Sequence, residues 1–141
     1  MNTIAKLSIL IVEDPPLQQK LLTEQLHRWG CRSVAVANDG DEAIEVMARL
    51  SVDVVFCDIN MPNMNGSCFA VKQAELARNA GQALPMLVWM SSEERDVLDF
   101  HVMLAREAGF PNVCAYGKPP TASTVLQILR NVLFFKEGRV V

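Results

Sequence analysis

Five short apolar runs alternate with five helical patterns along this chain, and no other feature constrains its fold as strongly. The runs cover Ser8–Val12, Ser33–Ala37, Asp53–Cys57, Met86–Met90 and Val113–Tyr116. Four of them are almost continuously apolar, which is typical of parallel strands covered on both faces, whereas the run at Ser33 suits an edge. The alternation predicts a doubly wound α/β domain with a five-stranded parallel sheet and right-handed crossovers.

The helical patterns are bounded by ordinary helix start and stop residues. We predict helices over Pro15–Trp29, Asp39–Leu50, Gly66–Asn79, Ser92–Ala108 and Ala122–Lys136. Pro15 suits a first helical turn, and Gly109 and Pro111 end the fourth helix. The fifth is expected to end before Gly138 and has a wider apolar face than packing on a sheet requires. That excess predicts either a partner or dimer face or the contact surface of a missing domain.

Composition excludes several classes of protein. Half of the 141 residues are hydrophobic, which argues against disorder, and a net charge of −3 argues against a nucleic-acid surface. No apolar run approaches the roughly 20 residues of a membrane span, and the first residues do not resemble a signal peptide. The four cysteines lack metal-ligand spacing, and His27 and His101 are interpreted as ordinary helix histidines. We therefore expect a cytoplasmic single domain.

Polar side chains follow four of the predicted strands at the point where each strand ends. They are Glu13 and Asp14 after the first, Asp58 after the third, Ser91 and Ser92 after the fourth, and Lys118 after the fifth. Ligands of open α/β sheets bind at this edge. Three carboxylates repel one another unless a cation joins them, and an all-oxygen donor set favours Mg²⁺ or Mn²⁺. The remaining lysine and hydroxyl suit a phosphoryl group.

The segment from Asp58 to Gly66 has the form D-x-x-M-P-x-M-x-G. Together with the Glu13-Asp14 pair, Ser91 and Lys118-Pro119, it resembles the response-regulator receiver domain of bacterial two-component signalling. The resemblance covers about residues 6 to 136 and leaves 137–141 as a short tail or linker. It implies the flavodoxin-like strand order 2-1-3-4-5, as in chemotaxis regulators.

The resemblance also implies a role for each site residue. Asp58 would accept a phosphoryl group from a sensor histidine kinase or a phosphotransfer protein. Mg²⁺ would be held by Asp14, Asp58 and the main-chain carbonyl of Asn60, with Glu13 acting through water. Lys118 would pair with the phosphoryl oxygens beside a cis Lys118–Pro119 bond, and Ser91 would report the arrival of the group.

Asn60 and Glu93 occupy the two positions that most affect phosphoryl lifetime in the family, and this pairing predicts a short-lived phosphoryl group. The family's aromatic switch residue is replaced by Ala115, while Tyr116 should point to the opposite face. Coupling by the usual route is therefore not expected, and output would either use the fourth-helix segment or be weakly coupled to phosphorylation. Leu104–Phe110 is similar to receivers fused to cyclic-di-GMP phosphodiesterase domains. The output domain or partner, and a homodimer through the fourth and fifth helices, stay open.

Each assignment has a plainer alternative. Asp14 could cap the first helix, Ser92 could be the relevant hydroxyl or a helix cap, and Lys118 could be a surface lysine. At the level of function, the alternative is an interaction module that does not depend on phosphorylation, which Ala115 favours. A phosphate-ester hydrolase would need a second carboxylate two residues after Asp58, and Asn60 cannot supply it.

Overall fold

A computed structural model describes residues 3–61 and 63–140 of the chain. Its five strands, β1 to β5, span Ser8–Val12, Ser33–Ala37, Val54–Asp58, Met86–Ser91 and Val113–Gly117. Neighbouring strands are parallel and follow the order β2-β1-β3-β4-β5. This order confirms the predicted doubly wound sheet and the edge position of β2. The strand order reverses between β1 and β3, so the switch point lies where those two strands end.

Five α-helices cover the sheet, and a short 3₁₀ turn at Ile4–Lys6 precedes it. In chain order, α1 to α5 span Pro16–Arg28, Gly40–Arg49, Gly66–Ala80, Arg95–Ala108 and Ala122–Val140. The first three agree with the prediction to within one residue at each end. Side-chain caps define two of their starts, since Asp39 accepts a hydrogen bond from Glu42 N and Asn65 accepts one from Cys68 N.

The predicted start of α4 was wrong by three residues. The Glu93 amide donates to Ser91 Oγ at 3.0 Å, and this bond holds the chain in a turn immediately after β4. Glu94 then takes extended backbone angles as the N-cap, and the helix begins at Arg95 rather than Ser92. The two glutamates therefore precede the first turn of α4, although acids of that kind are common inside such turns.

The predicted end of α5 was also wrong, because the helix continues to Val140. A glycine costs only about 1 kcal/mol in a helix interior, so Gly138 need not end one. The proposed domain boundary at residue 136 consequently falls inside a helix.

Within residues 3–61 and 63–140 no helix is long and apolar enough to cross a membrane.

Strand alternation divides the core into two layers. Leu10, Val55 and Trp89 face the layer formed with α2, α3 and α4, whereas Ile9 and Phe56 face the layer formed with α1 and α5. On α5, the residues that pack against the sheet are Val125, Ile128, Leu129 and Val132, all of them buried. Phe134 of the same helix is 82% exposed, so at least this residue of the predicted apolar face does not pack against the sheet.

Candidate functional site

Four of the predicted site residues meet at the carboxyl edge of the sheet. Glu13 follows β1, Asp58 ends β3, Ser91 ends β4 and Lys118 follows β5. The β3–β4 register pairs Asp58 with Met90, which places Ser91 one residue further along the same edge. Glu13 and Ser91 are each 1% exposed and Asp58 is 7% exposed. Polar side chains are rarely buried to this extent without partners, so these residues form an organised site.

The Asp58 carboxylate is held by donors on both of its oxygens. Lys118 Nζ lies 3.0 Å from Oδ2, and the main-chain N–H of Asn60 donates to Oδ1 at 3.0 Å. Together the two donors fix the plane of the carboxyl group. An oriented anionic oxygen with limited access to solvent is suited to act as a nucleophile.

The Lys118 ammonium joins two carboxylates, because it pairs with Glu13 Oε1 as well as with Asp58 Oδ2. Burial opposes the charged ammonium, but the hydrogen bonds and charges of Glu13 and Asp58 outweigh burial and raise the pKa of Lys118. Burial also raises the pKa of Glu13, against the lowering effect of Lys118. The three groups form a charge-coupled unit whose net charge is −1 when all of them are ionised.

The backbone around Lys118 positions its side chain. Lys118 N donates to the carbonyl of Ser91 at 3.2 Å, which extends the β4–β5 pairing by one bond. The Lys118–Pro119 peptide is cis, as the resemblance implied. One residue further on, the Gln25 side-chain amide donates to the carbonyl of Pro120 at 3.3 Å, which ties this loop to α1. The alternative of an unconstrained surface lysine is therefore wrong.

The two candidate hydroxyls, Ser91 and Ser92, differ in burial. Ser91 is buried at the end of β4, whereas Ser92 is exposed and does not cap α4, whose N-cap is Glu94. Ser91 Oγ accepts the Glu93 amide, and the Glu93 carboxylate in turn accepts a hydrogen bond from Asn60 Nδ2 at 3.3 Å. A chain of hydrogen bonds therefore runs from Ser91 through Glu93 and Asn60 to Asp58.

Asp14 is the one predicted carboxylate that stays apart from this unit. It is exposed and does not cap α1, because the N-cap is Pro15 and makes no side-chain cap bond. Over the described part of the chain, no three Asp, Glu, His or Cys side chains are arranged to hold a metal ion. However, Glu13 Oε2 is buried without a hydrogen-bond partner, and a hard cation or its bound water would satisfy it. The chemistry of the donor set therefore fits Mg²⁺.

The predicted departure at β5 is confirmed. Ala115 is buried in the layer of α4, and Tyr116 packs into the opposite layer. At this position α4 is joined to β5 through the main chain, because Arg95 Nη1 donates to the Ala115 carbonyl at 3.2 Å. An aromatic switch at residue 115 is absent, so a ring cannot carry a signal from the site along this route.

Two contacts beside the site were not predicted from the sequence. Trp89 is fully buried behind Gly66, and its indole Nε1 donates to the His101 carbonyl at 3.1 Å. His101 Nδ1 is hydrogen-bonded to Ser67 Oγ, and burial lowers the pKa of His101 against the opposing charge of Glu93. No sequence spacing indicates such a bond, because 34 residues separate the two partners.

Residues 9–110 match the family model of the response regulator receiver domain, and the chain belongs to that family. Receiver domains are switches of two-component signalling and are in general not enzymes; the family uses Mg²⁺ at its acidic site. The family match agrees with the strand order and with the acidic edge described above.

Two curated relatives share part of this chain. It is 37% identical over 81 residues to the sensor histidine kinase RcsC of Salmonella typhimurium, and the aligned segment covers 56% of this chain and 8% of the kinase. It is 39% identical over 85 residues to the Regulator of RpoS of Escherichia coli, which is 60% of this chain and 24% of that protein. The matched segments thus span less than a quarter of either relative.

Solved structures support the same fold. The chemotaxis protein CheY4 of Vibrio cholerae aligns with a TM-score of 0.74 at 22% identity, covering 89% of this chain and 98% of CheY4. The receiver domain of Saccharomyces cerevisiae Ssk1, solved in complex with the histidine phosphotransfer protein Ypd1, is similar. It aligns with a TM-score of 0.76 at 20% identity, covering 91% of this chain and 89% of that one.

Proposed function

We propose that Asp58 accepts a phosphoryl group from the phosphohistidine of a sensor kinase or phosphotransfer protein, and that the modified domain switches a partner or output surface. The observation that carries this proposal is the Asp58 carboxylate, held by Lys118 on one oxygen and by the Asn60 amide on the other. A structural aspartate would need neither a position at the switch point nor a lysine shared with a second buried carboxylate.

In the transfer, a carboxylate oxygen of Asp58 attacks phosphorus and forms an acyl phosphate. The bond from phosphorus to the imidazole nitrogen breaks, and its electron pair stays on the departing histidine, which takes up a proton. Lys118 lies 3.0 Å from Asp58 Oδ2, so its ammonium can stabilise the negative charge of the transferring phosphoryl oxygens. Ser91 Oγ accepts the Glu93 amide through one lone pair, and its hydroxyl proton can then be donated to the same oxygens.

The metal would be held by Asp14, Asp58 and the Asn60 carbonyl, with Glu13 reaching it through water. When bound, Mg²⁺ neutralises the phosphoryl oxygens and orients the donor. Mn²⁺ has the same preference for oxygen ligands. Glu13 contributes the buried, unpaired Oε2, and the exposed position of Asp14 leaves its carboxylate free to serve as a ligand.

The partners that fit this function are a histidine kinase or a phosphotransfer protein on the input side. Ssk1, similar in fold to this chain, was solved with a phosphotransfer protein, and RcsC is itself a sensor histidine kinase. On the output side, an attached domain, a separate protein or a second copy joined through α4 and α5 would use the exposed apolar residues of those helices, such as Phe100 and Phe134. All four cysteines are free, in keeping with the cytoplasm.

The alternative is an interaction module that keeps the fold without being phosphorylated. Ala115 favours it, because the residue at this position cannot act as an aromatic switch. The unit formed by Glu13, Asp58 and Lys118 opposes it. Without a phosphoryl group to bind, two buried carboxylates around one lysine would only lower stability relative to an apolar replacement.

Incubation with Mg²⁺ and acetyl phosphate separates the two functions. We expect intact mass spectrometry to show one added phosphoryl group that is absent without Mg²⁺ and absent in Asp58→Asn. Asp41→Asn, a matched change at an exposed aspartate of α2, should be labelled like the unmodified chain. Labelling that persists in Asp58→Asn would show that another residue is the acceptor. If the chain is not labelled and also does not bind beryllofluoride in the presence of Mg²⁺, the interaction module is favoured.

A further inference from the structure

With Ala115 in place of an aromatic residue, the signal needs another physical path from the acceptor to α4. We propose that Trp89, His101 and Ser67 form this path. The segment that joins Asp58 to Gly66, the acceptor loop, and α4 would then move as one coupled unit. The inference rests on the proposed phosphoacceptor function of Asp58. It requires that the loop contacts Trp89, that Trp89 is bonded to α4, and that α4 is also tied to the start of α3.

The loop contacts Trp89 at Gly66, where the segment after Asp58 enters α3. A Cβ atom placed on Gly66 would lie 2.6 Å from Cζ3 of Trp89 and 3.0 Å from the main-chain oxygen of Asp58. Gly66 therefore fits closely between the acceptor backbone and the buried indole. Because protein interiors are close-packed, a displacement of the loop at this position has to be accommodated by the Trp89 ring.

The Trp89 ring is bonded to α4 rather than merely packed against it. Its Nε1 donates to the His101 carbonyl at 3.1 Å, and the two rings meet edge to face with centroids 6.1 Å apart. The His101 ring also contacts the ring of Phe100, with centroids 5.8 Å apart. Phe100 is an exposed residue of α4, so this contact extends the path to the protein surface.

The second connection joins α4 to α3. Ser67 follows Gly66 directly, and its hydroxyl is hydrogen-bonded to His101 Nδ1. His101 is therefore attached on one side to β4 through Trp89 and on the other side to the first turn of α3. Both attachments lead back to Gly66, since Trp89 contacts Gly66 and Ser67 is the next residue in the chain. A rearrangement of the acceptor loop consequently acts on α4 through two bonds, neither of which involves residue 115.

A direct test of coupling has to break the bond between Ser67 and His101 without changing Asp58. Ser67→Ala removes the hydroxyl, and His101→Leu removes the ring nitrogen. Ser67→Thr keeps the hydroxyl, and Ser51→Ala makes the same chemical change as Ser67→Ala at an exposed loop residue. Urea denaturation verifies that each variant is folded.

Beryllofluoride with Mg²⁺ serves as the phosphoryl mimic, and calorimetry measures its binding independently of the structural response. In the unmodified chain we expect binding to change amide hydrogen exchange across residues 95–108. In a Trp29→Phe background, which leaves Trp89 as the single tryptophan, binding should also shift the fluorescence emission. Ser67→Ala and His101→Leu should still bind but show a smaller exchange response of α4, because they break the bond to α3 and leave the bond from Trp89 to the carbonyl of residue 101. Ser67→Thr and Ser51→Ala should keep the full response.

The outcomes separate the two proposals. Absence of binding to the unmodified chain would overturn the phosphoacceptor function and this path with it. Binding that leaves α4 exchange unchanged, or an α4 response in Ser67→Ala as large as in the unmodified chain, would overturn the path alone. Binding without any shift in Trp89 emission would likewise show that the indole does not sense the acceptor loop.

Discussion

Replacing Gly66 by alanine tests whether the acceptor loop is packed as tightly as the structure shows. The new methyl group would lie 2.6 Å from a ring carbon of Trp89 and 3.0 Å from the Cα of Ile59 and from the Asp58 oxygen. Trp89 is fully buried and two of the three contacts are with backbone, so no flexible side chain can move away. Overpacking of this kind costs about 1–3 kcal/mol.

An opposing effect has to be subtracted. Replacing glycine by alanine restricts the unfolded chain and stabilises a protein by about 0.4–1 kcal/mol where the folded backbone accepts the change. With two backbone contacts the steric cost lies toward its upper end, so we expect a net loss of about 1–2 kcal/mol in the free energy of unfolding. For a urea m-value of about 1–3 kcal/mol/M, the midpoint of denaturation should fall by roughly 0.3–2 M.

Gly117→Ala is the matched control, because a Cβ atom at Gly117 would meet nothing within 4 Å. It carries the same entropic gain without the clash, so its midpoint should equal or exceed that of the unmodified chain. Circular dichroism in urea measures both variants. If Gly66→Ala were as stable as Gly117→Ala, the packing of Trp89 against the acceptor loop would be refuted, and with it the first step of the proposed path to α4.

Two further outcomes follow from the charged unit of Glu13, Asp58 and Lys118, and a third follows from Asn60 and Glu93. Lys118→Met should lower the free energy of unfolding by about 3 kcal/mol in metal-free urea titrations, since Glu13 and Asp58 lose their shared counter-charge; an unchanged midpoint would contradict this. Burial raises the pKa of Glu13, so the folded state binds the Glu13 proton more tightly than the unfolded state does. The metal-free free energy of unfolding should therefore fall as pH rises above the ordinary glutamate pKa. Glu13→Gln should make this dependence on pH less steep. The side chains of Asn60 and Glu93 are hydrogen-bonded to each other, and this pairing predicts a short-lived phosphoryl group on Asp58. Radiolabelled phosphoprotein should therefore lose its label in less than an hour, and loss over hours or longer would contradict the prediction.

The order of the strands and the gathering of polar residues could be predicted because they depend on local patterns. A buried parallel strand has to be apolar along its length, so a polar residue such as Asp58 or Ser91 marks where the strand leaves the core. The family motif then assigns roles by position alone. The opposite orientations of Ala115 and Tyr116 were predictable for a similar reason, since side chains alternate along any strand.

Errors in the predicted helix bounds arose where a tertiary bond or a small free-energy difference decides the outcome. The start of α4 depends on a hydrogen bond from the Glu93 amide to Ser91, and propensity alone does not describe that bond. The end of α5 depends on whether a helix tolerates Gly138, a matter of about 1 kcal/mol that neighbouring turns offset.

What the sequence by itself determined is the fold class and the edge of the sheet at which the polar residues gather, and it predicts Asp58 as the acceptor. Only the tertiary structure decided that Lys118 is shared by Asp58 and Glu13, and that His101 connects Trp89 to Ser67. Apolar periodicity is a property of neighbours along the chain, whereas these bonds join residues 12 to 105 positions apart. Their distances are fixed by how the layers pack, and no local pattern in the sequence encodes them.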